Sequence, residues 1–348
     1  MKNFKIKKIL IIGLGLIGGS FAKAIREKNI AQQIFALDQD LEAINNARNQ
    51  KIVDDFCLID SQIKDYDLIV IACPLKNYPQ IFTQLANHLD NKNLVIDLGS
   101  IKNFDNKLLK LIPNFIGCHP IAGSDQSGYL NSDCNLFFGK KFVICNYNNI
   151  DSVKIVKEII IEIGSSFIEL SASKHDEIFA LTSHLPQFLS FLCAEFSPKK
   201  NKNEFIKKAF RLDKSSPEIW SDIFKLNEKN LEKFYQQFFT NFTNIAKQLK
   251  SFSTSKQFLT TNNIFIKESK ALKITDLEPD FSQIFFRLLV VLSYLKIDKI
   301  NDYLEYTGSG FADFTSIAFI SQLNHLDLDS LIKKNLPEIN KFLDKFFE

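Results

Sequence analysis

The chain has 348 residues, a length that favours two domains with room for a further segment, and its 45% hydrophobic and 24% charged residues are typical of a soluble globular protein. The 43 Lys and Arg residues are scattered and nearly balanced by 40 Asp and Glu, which argues against nucleic acid as a partner. No apolar run reaches the ~20 residues that span a bilayer, so we expect no membrane partner. Six Cys without CxxC or metal-ligand spacing favour free thiols, no metal site and a cytoplasmic location.

The first half of the chain alternates short, β-rich apolar runs with amphipathic helical stretches. This alternation is the pattern of a parallel sheet covered by helices, and it predicts a doubly wound α/β domain over residues 1–170. The predicted strands are 8–12, 33–37, 68–72, 94–98, 115–118, 142–145 and 167–170, and the predicted helices include 17–28, 41–49, 78–88 and 152–163.

After residue 171 the apolar period becomes helical. Ile178, Leu181, Leu185, Phe188 and Leu192 fall on one face of a predicted long helix, so residues 171–256 are expected to form an all-α domain.

A C-terminal extension over residues 257–348 follows a Ser/Thr-rich linker predicted at 251–263. Its clearest element is an apolar helix at 281–295. Because FSQIFFRL at 281–288 is similar to LPQFLSF at 185–191, the extension is a candidate for a degenerate repeat of the helical unit.

A glycine fingerprint follows the first predicted strand. Gly13 permits a tight turn, Gly15 lets a pyrophosphate approach the backbone, and Gly18 lets the next helix pack on the strand, while the amides of Leu16 and Ile17 open that helix. Asp38 ends the second strand, where a carboxylate binds ribose hydroxyls and repels a 2′-phosphate. The segment predicts NAD rather than NADP; the competing interpretation is a tight turn with a surface Asp.

Further candidates lie at the carboxyl ends of later strands, where open α/β sheets bind ligands. Cys73 and Pro74 follow one strand, and Ser100 follows the next within DLGSIK. The Ser100 hydroxyl could bind a substrate oxygen or cap the following helix. His119, held in extended geometry by Pro120, offers a general base with an ordinary pKa of about 6.5, or a buried structural His.

The helical half adds other candidate residues. His175 and Asp176 open it, and Pro186 removes a helical hydrogen bond and predicts a kink beside Thr182. Arg211 offers a planar fork that can grip a carboxylate, the alternative being an exposed structural Arg.

Together these residues resemble the prephenate dehydrogenase family of tyrosine biosynthesis over residues 6–250. The similarity implies a Rossmann-like domain, an α-helical dimerisation domain and a site in the cleft between them. It implies that His119 and Ser100 are catalytic, and that His184, Gln187, Arg211 and Lys207 bind substrate. The motifs that carry it are GLGLIGGSFAKAIR at 13–26, Asp38, DLGSIK at 97–102, GCHPIAGSDQSG at 117–128, HDEIFALTSHLPQFLSF at 175–191 and Arg211 with KSSPEIWSDIF.

Two motifs depart from the family pattern. The family has a second His after SHLP, where this chain has Gln187. Its GGGFxDxTRIA segment corresponds to FIKKAFRLDKS around Arg211, whose glycines are gone. A closer copy at 308–318 has Ser316 in place of the Arg, so we assign the Arg to 211. The extension resembles neither the ACT nor the chorismate mutase domain of some relatives.

The resemblance implies NAD-dependent oxidative decarboxylation of prephenate to 4-hydroxyphenylpyruvate by a cytoplasmic homodimer. Arogenate is the close alternative substrate. Another hydroxy-acid or imine dehydrogenase would share the glycines but not the paired HPxAG and SHLP motifs, and an NAD-sensing protein would lack the base. The extension either enlarges the dimer contact or docks where a partner subunit would sit.

Overall fold

The computed structural model describes residues 6–124, 126–145, 149–197, 204–251, 281–316 and 325–347. Its contacts divide the chain into two units, residues 1–177 with 218–226 and residues 178–217 with 227–348. The domain boundaries placed at 170 and 256 from sequence stay predictions, and most of the predicted linker lies outside the described residues.

The first unit is built on one eight-stranded sheet. Neighbouring strands follow the order β3-β2-β1-β4-β5-β6-β7-β8 and are parallel except for the antiparallel pair β6 and β7. The strands are β1 Ile6–Ile12, β2 Ala31–Leu37, β3 Asp55–Phe56, β4 Leu68–Ile71, β5 Leu94–Asp97, β6 Phe115–Pro120, β7 Lys141–Cys145 and β8 Ser166–Glu169. The predicted doubly wound α/β class is confirmed. Only β3 was missed, because two residues at a sheet edge carry no periodic pattern.

Helices cover both faces of this sheet. They are α1 Leu16–Glu27, α2 Leu41–Asn49, α3 Tyr78–Ala86, α4 Asn106–Leu109 and α5 Ile150–Glu162. Helix α6, Ala172–Phe179, follows β8 and carries His175. Alternate residues of β1 point to opposite faces. Ile9 and Ile11 join the core beneath α1 and α5, whereas Leu10 joins the core beneath α3. Since both faces are buried, the central strands are continuous apolar runs, which is why the sequence revealed them.

The remaining described helices are α7 Leu185–Cys193, α8 Glu204–Ala209, α9 Pro217–Leu226, α10 Glu228–Ser251, α11 Phe281–Leu295, α12 Ser309–Thr315 and α13 His325–Phe347. A 3-10 turn, Arg211–Lys214, joins α8 to the segment before α9. Helix α9 belongs to the first unit, where Ile223 is buried in the core beneath α3. None of the described helices is long and apolar enough to cross a membrane.

The long helix predicted across residues 178–192 is present but is not regular. A π-helical turn, Ala180–His184, separates α6 from α7, and Pro186 lies in the first turn of α7. Proline has no N–H to donate, so a regular helix cannot continue through this position. Leu192, expected on the apolar face, is 39% exposed. The long helix is therefore present with the distortion predicted beside Thr182, which is a π turn, and only the placement of Leu192 on the buried face was wrong.

The second unit has α11 at its centre. This helix packs against α10 and α13, and the Tyr294 hydroxyl donates to the Leu181 carbonyl oxygen at 2.7 Å. Phe286 contacts Phe242 of α10 with ring centroids 6.0 Å apart. The helix predicted at 281–295 has those bounds, and its buried apolar side chains make it part of the core of this unit.

Candidate active site

The glycine turn lies between the carboxyl ends of the parallel strands β1 and β4. At this point the strand order changes direction, because β2 and β3 lie on one side of β1, and β4 and the later strands lie on the other. Gly13 has φ +101°, and a Cβ there would lie 2.7 Å from backbone atoms of Ala72 and Cys73. A Cβ on Gly18 would lie 1.9 Å from the Gly13 carbonyl oxygen. Both positions therefore require glycine. The turn forms as the fingerprint predicts.

Gly15 differs from these two glycines, because a Cβ there would meet nothing within 4 Å. Packing within the chain therefore does not require glycine at this position. It is the N-cap of α1, makes no side-chain capping bond, and is followed by no acidic residue in the first turn. Leu16 and Ile17, both half-buried, open the helix. Open space beside Gly15, at the positive dipole end of α1, suits a pyrophosphate. The turn thus fits the dinucleotide that its sequence predicts.

Asp38 follows β2 and faces the same turn. Its Oδ2 accepts a hydrogen bond from the Leu14 amide at 2.5 Å, and its Oδ1 accepts one from the Asp40 amide at 2.8 Å. Each carboxylate oxygen has a second lone-pair site, so the group can still accept ribose hydroxyls. The backbone fixes this carboxylate next to the glycine turn.

Cys73 and Pro74 come directly after β4, beside the glycine turn. Pro74 is exposed and Cys73 is half-buried. Burial raises the pKa of the Cys73 thiol to about 11, so the thiol is protonated at neutral pH and little reactive thiolate is present. The two residues can contribute a surface for a cofactor.

A buried ion pair fixes the DLGSIK segment after β5. Lys102 Nζ lies 2.6 Å from Asp97 Oδ2, both side chains are fully buried, and Lys102 also donates to the Gly99 carbonyl oxygen at 2.7 Å. Asp97 accepts from the Cys118 amide at 3.1 Å, which ties the segment to β6. Ser100 is half-buried within this loop. The pair therefore fixes the backbone on which Ser100 and His119 stand.

His119 is the first member of a hydrogen-bonded chain of three side chains. Its Nδ1 lies 2.8 Å from Nε2 of His175, whose Nδ1 lies 2.7 Å from Oδ1 of Asp176. His175 and Asp176 are buried, and Asp176 also accepts from the backbone amides of Lys102 and Asn103, each at 2.9 Å. Carboxylates only accept, so with both imidazoles neutral His175 donates through Nδ1 and accepts through Nε2. The chain thereby leaves the lone pair of His119 on Nε2.

This arrangement suits a general base. His119 occupies β6, whose carboxyl end lies at the same edge of the sheet as the glycine turn. A carboxylate acting through His175 orients the imidazole and stabilises the cation that forms when Nε2 takes a proton. The sequence had drawn attention to His175 and Asp176 without giving them a role. Their adjacency was visible, but their contact with a residue 56 positions away was not.

The second unit contains the other predicted residues. His184 is buried in the π turn, and its Nδ1 lies 3.0 Å from Nδ2 of Asn227, so the amide donates to it. Gln187 is also buried. Its Nε2 donates to the Leu212 carbonyl oxygen at 2.8 Å, and its Oε1 accepts from Ser215 at 3.2 Å. The Gln187 amide thus supports the Arg211–Lys214 turn.

Arg211 begins that turn and is partly exposed. Its Nε donates to Asp313 Oδ2 at 2.7 Å. Lys207 lies on the exposed face of α8, where its Nζ is 2.6 Å from Glu204. Arg211 is therefore oriented by a carboxylate, whereas Lys207 makes a surface ion pair. In the described part of the chain no group of His, Cys, Asp or Glu could hold a metal ion.

Two protein-family models match successive parts of this chain. The model of the prephenate dehydrogenase nucleotide-binding domain matches residues 21–169, and that of the dimerization domain matches residues 171–261. The prephenate dehydrogenase of Lactococcus lactis is 32% identical over 191 residues, 53% of this chain and 52% of that protein. The enzyme of the same name from Bacillus subtilis is 28% identical over 244 residues, 65% and 66% of the two chains. The chain thus spans about half to two thirds of these relatives.

Among solved structures, prephenate dehydrogenase from A. aeolicus in complex with hydroxyphenyl propionate and NAD+ is similar. The TM-score is 0.65 with 28% identity, covering 71% of this chain and 91% of that one. The two family models follow one another along the chain and together match most of residues 21–261, and the glycine turn lies just before the first matched residue. On these grounds the chain belongs to the prephenate dehydrogenase family.

Proposed function

We propose that the protein catalyses the NAD-dependent oxidative decarboxylation of prephenate to 4-hydroxyphenylpyruvate and CO2. The observation that carries the proposal is the chain from Asp176 through His175 to His119. It supplies a base at the edge of the sheet where the glycine turn lies. Family membership then narrows the reaction to oxidation of a cyclohexadienol.

The glycine turn and Asp38 would hold NAD. The α1 amides would bind the pyrophosphate, Asp38 would bind the adenosine ribose, and Cys73 and Pro74 would line the neighbouring loop. A 2′-phosphate would meet the negative charge of Asp38, which favours NAD over NADP. When bound, NAD accepts the hydride that leaves the ring carbon.

His119 would remove the proton of the ring hydroxyl through Nε2. The C–O bond becomes a carbonyl as hydride leaves. Loss of the ring carboxylate as CO2 then returns its bonding electrons to the ring as an aromatic phenolate, which would take back the proton held on His119. A buried carboxylate behind His175 lowers the free energy of the imidazolium formed in this step. His119 thus acts as a general base, a role worth about 10² to 10⁴ in rate.

The substrate carries two carboxylates, which require cationic or hydrogen-bonding partners. Arg211 would bind one of them through its guanidinium, and Ser100 and His184 would donate hydrogen bonds to the substrate. Gln187 would act on the substrate through the Arg211–Lys214 turn that it supports. Lys207 would add long-range attraction for the dianion, because it is exposed.

Arogenate is the second candidate substrate, and Gln187 is the observation that keeps it open. The family has a His at this position, so the Gln187 amide changes one polar group among the residues expected to bind the substrate. The test is a panel of prephenate and arogenate, each with NAD and NADP, followed by NADH or NADPH absorbance. A kcat/KM highest for prephenate with NAD supports the proposal, and absence of NADH from both substrates contradicts it.

Assembly and location are proposals as well. A homodimer through the helical unit is supported by the match to a family dimerization domain. Light scattering on the intact chain tests it, since a monomeric mass would favour the extension as an internal substitute for the partner. The six cysteines are free thiols, which supports the cytoplasm, and fractionation of cells would test that location.

A further inference from the structure

The Arg211–Lys214 turn has little regular helical structure of its own. It is a single 3-10 turn between the short helix α8 and the segment leading to α9. Turns of this type have poor hydrogen-bond geometry and are uncommon in long runs. A guanidinium on such a turn loses much side-chain freedom when it binds a ligand, unless another group orients it beforehand.

The C-terminal extension contacts three positions of this turn region, Phe210, Arg211 and Asp213. Asp313 of α12 accepts from Arg211 Nε at 2.7 Å. Arg287 of α11, which is fully buried, forms an ion pair with Asp213, and its guanidinium lies 4.8 Å from the ring centroid of Phe210. The same Arg287 side chain donates to Ser190 of α7 at 3.2 Å, which connects these contacts to the helical core.

The sequence explains why this contact comes from so far along the chain. In the family pattern GGGFxDxTRIA, the Asp stands three residues before the Arg. The segment around Arg211 keeps the Arg but has Lys208 at the Asp position, whereas the copy at 308–318 keeps Asp313 but has Ser316 at the Arg position. Each copy therefore lacks what the other retains. The structure joins Arg211 of one copy to Asp313 of the other.

We propose, on the basis of the function proposed above, that Asp313 of the extension is a positioning residue for the substrate, acting through Arg211. Its carboxylate is 5% exposed and lies between Arg211 and Lys208 Nζ, the latter at 3.5 Å. Lys208, Arg211 and Asp313, taken alone among the described side chains, carry a net charge of +1, which favours a substrate carboxylate. The extension thereby completes the substrate half of the site within the same chain.

The test compares Asp313→Asn with Glu195→Gln as a matched control. Glu195 also forms an ion pair with the extension, through Lys345, but contacts neither Arg211 nor Asp313. We expect Asp313→Asn to raise the KM for the dianionic substrate about tenfold with kcat changed less than about threefold, and Glu195→Gln to change neither. In an Arg211→Ala background, Asp313→Asn should have no further effect on KM. An unchanged KM, or an effect that persists without Arg211, overturns the proposal.

A second measurement needs no enzymatic activity. Phenylglyoxal modifies accessible arginines, and peptide mass spectrometry gives the rate at each site. We expect Arg211 to react faster in Asp313→Asn than in the unmodified sequence or in Glu195→Gln, while Arg48, which lies in the first unit, reacts equally in all three. Equal Arg211 rates in all three proteins would show that Asp313 does not hold Arg211. If the protein makes no NADH from either substrate, the proposed function fails. The rate at which phenylglyoxal modifies Arg211 would still show whether Asp313 holds Arg211.

Discussion

Replacing His175 by Phe tests whether the buried chain behind His119 orients the base. Phe keeps a planar ring in a fully buried position but removes the acceptor for His119 Nδ1 and the donor to Asp176. His119 itself stays in place on β6. The substitution therefore separates the presence of the base from its orientation.

The expected loss follows from two contributions. Without an acceptor, His119 is divided among two tautomers and two ring orientations, and one productive state in four costs about 0.8 kcal/mol (RT ln 4). The hydrogen bond that strengthens as His119 becomes charged contributes about 1.5 to 3 kcal/mol. At 1.36 kcal/mol per tenfold, kcat should fall about 50- to 600-fold. This range lies around the lower end of the 10²- to 10⁴-fold loss expected on removing His119 altogether.

The assay is steady-state NADH formation from prephenate, with NAD binding measured by calorimetry and thermal unfolding as a control for folding. His175→Gln is the matched variant, because its amide can accept from His119 and donate to Asp176, and it should recover part of the lost kcat. The KM for prephenate and the affinity for NAD should stay near their original values. A normal kcat for His175→Phe, or no recovery in His175→Gln, would refute the orienting role.

Four other predictions concern the first unit. Replacing His119 by Asn should lower kcat by about 10² to 10⁴ while NAD binding is kept, as measured by calorimetry. Asp38→Ser should raise the KM for NAD about tenfold and improve use of NADP, because the 2′-phosphate no longer meets a carboxylate and the Leu14 amide loses its acceptor; kinetics with both cofactors check this. Gly13→Ala should lower the free energy of unfolding by at least about 1 to 3 kcal/mol from backbone strain alone, read from denaturant melts, with equal stability arguing against the described turn. Cys73 should react slowly with iodoacetamide at neutral pH and faster as the pH approaches its pKa of about 11, since burial favours the neutral thiol; fast neutral alkylation would contradict this.

Local patterns in the sequence determined most of the sheet. The strands at β1, β4 and β5 are buried on both faces and therefore appear as continuous apolar runs. The glycine turn was equally legible, because its conformation depends on residues within one short segment. Helix α11 had the bounds that its apolar period predicts.

Long-range partners were decided only by the tertiary structure. The sequence shows His175 and Asp176 as neighbours, but their spacing does not indicate that His175 contacts His119 and connects it to Asp176. Likewise Gln187 matched a substrate-binding position, but the fold turns its amide to the backbone of Leu212. Partners distant in the chain meet only after strands and helices have packed, so no local period records them.

The extension shows the division most clearly. Its sequence revealed an apolar helix and a faded copy of a family motif, which left open whether the segment was an appendage, a second dimer surface or an internal partner. The structure places α11 in the core of the second unit and Asp313 against Arg211, 102 residues earlier in the chain. Hydrophobic burial is non-directional, so the sequence determined that this helix would be covered. Tertiary packing alone decided which charged side chain of the extension would meet Arg211.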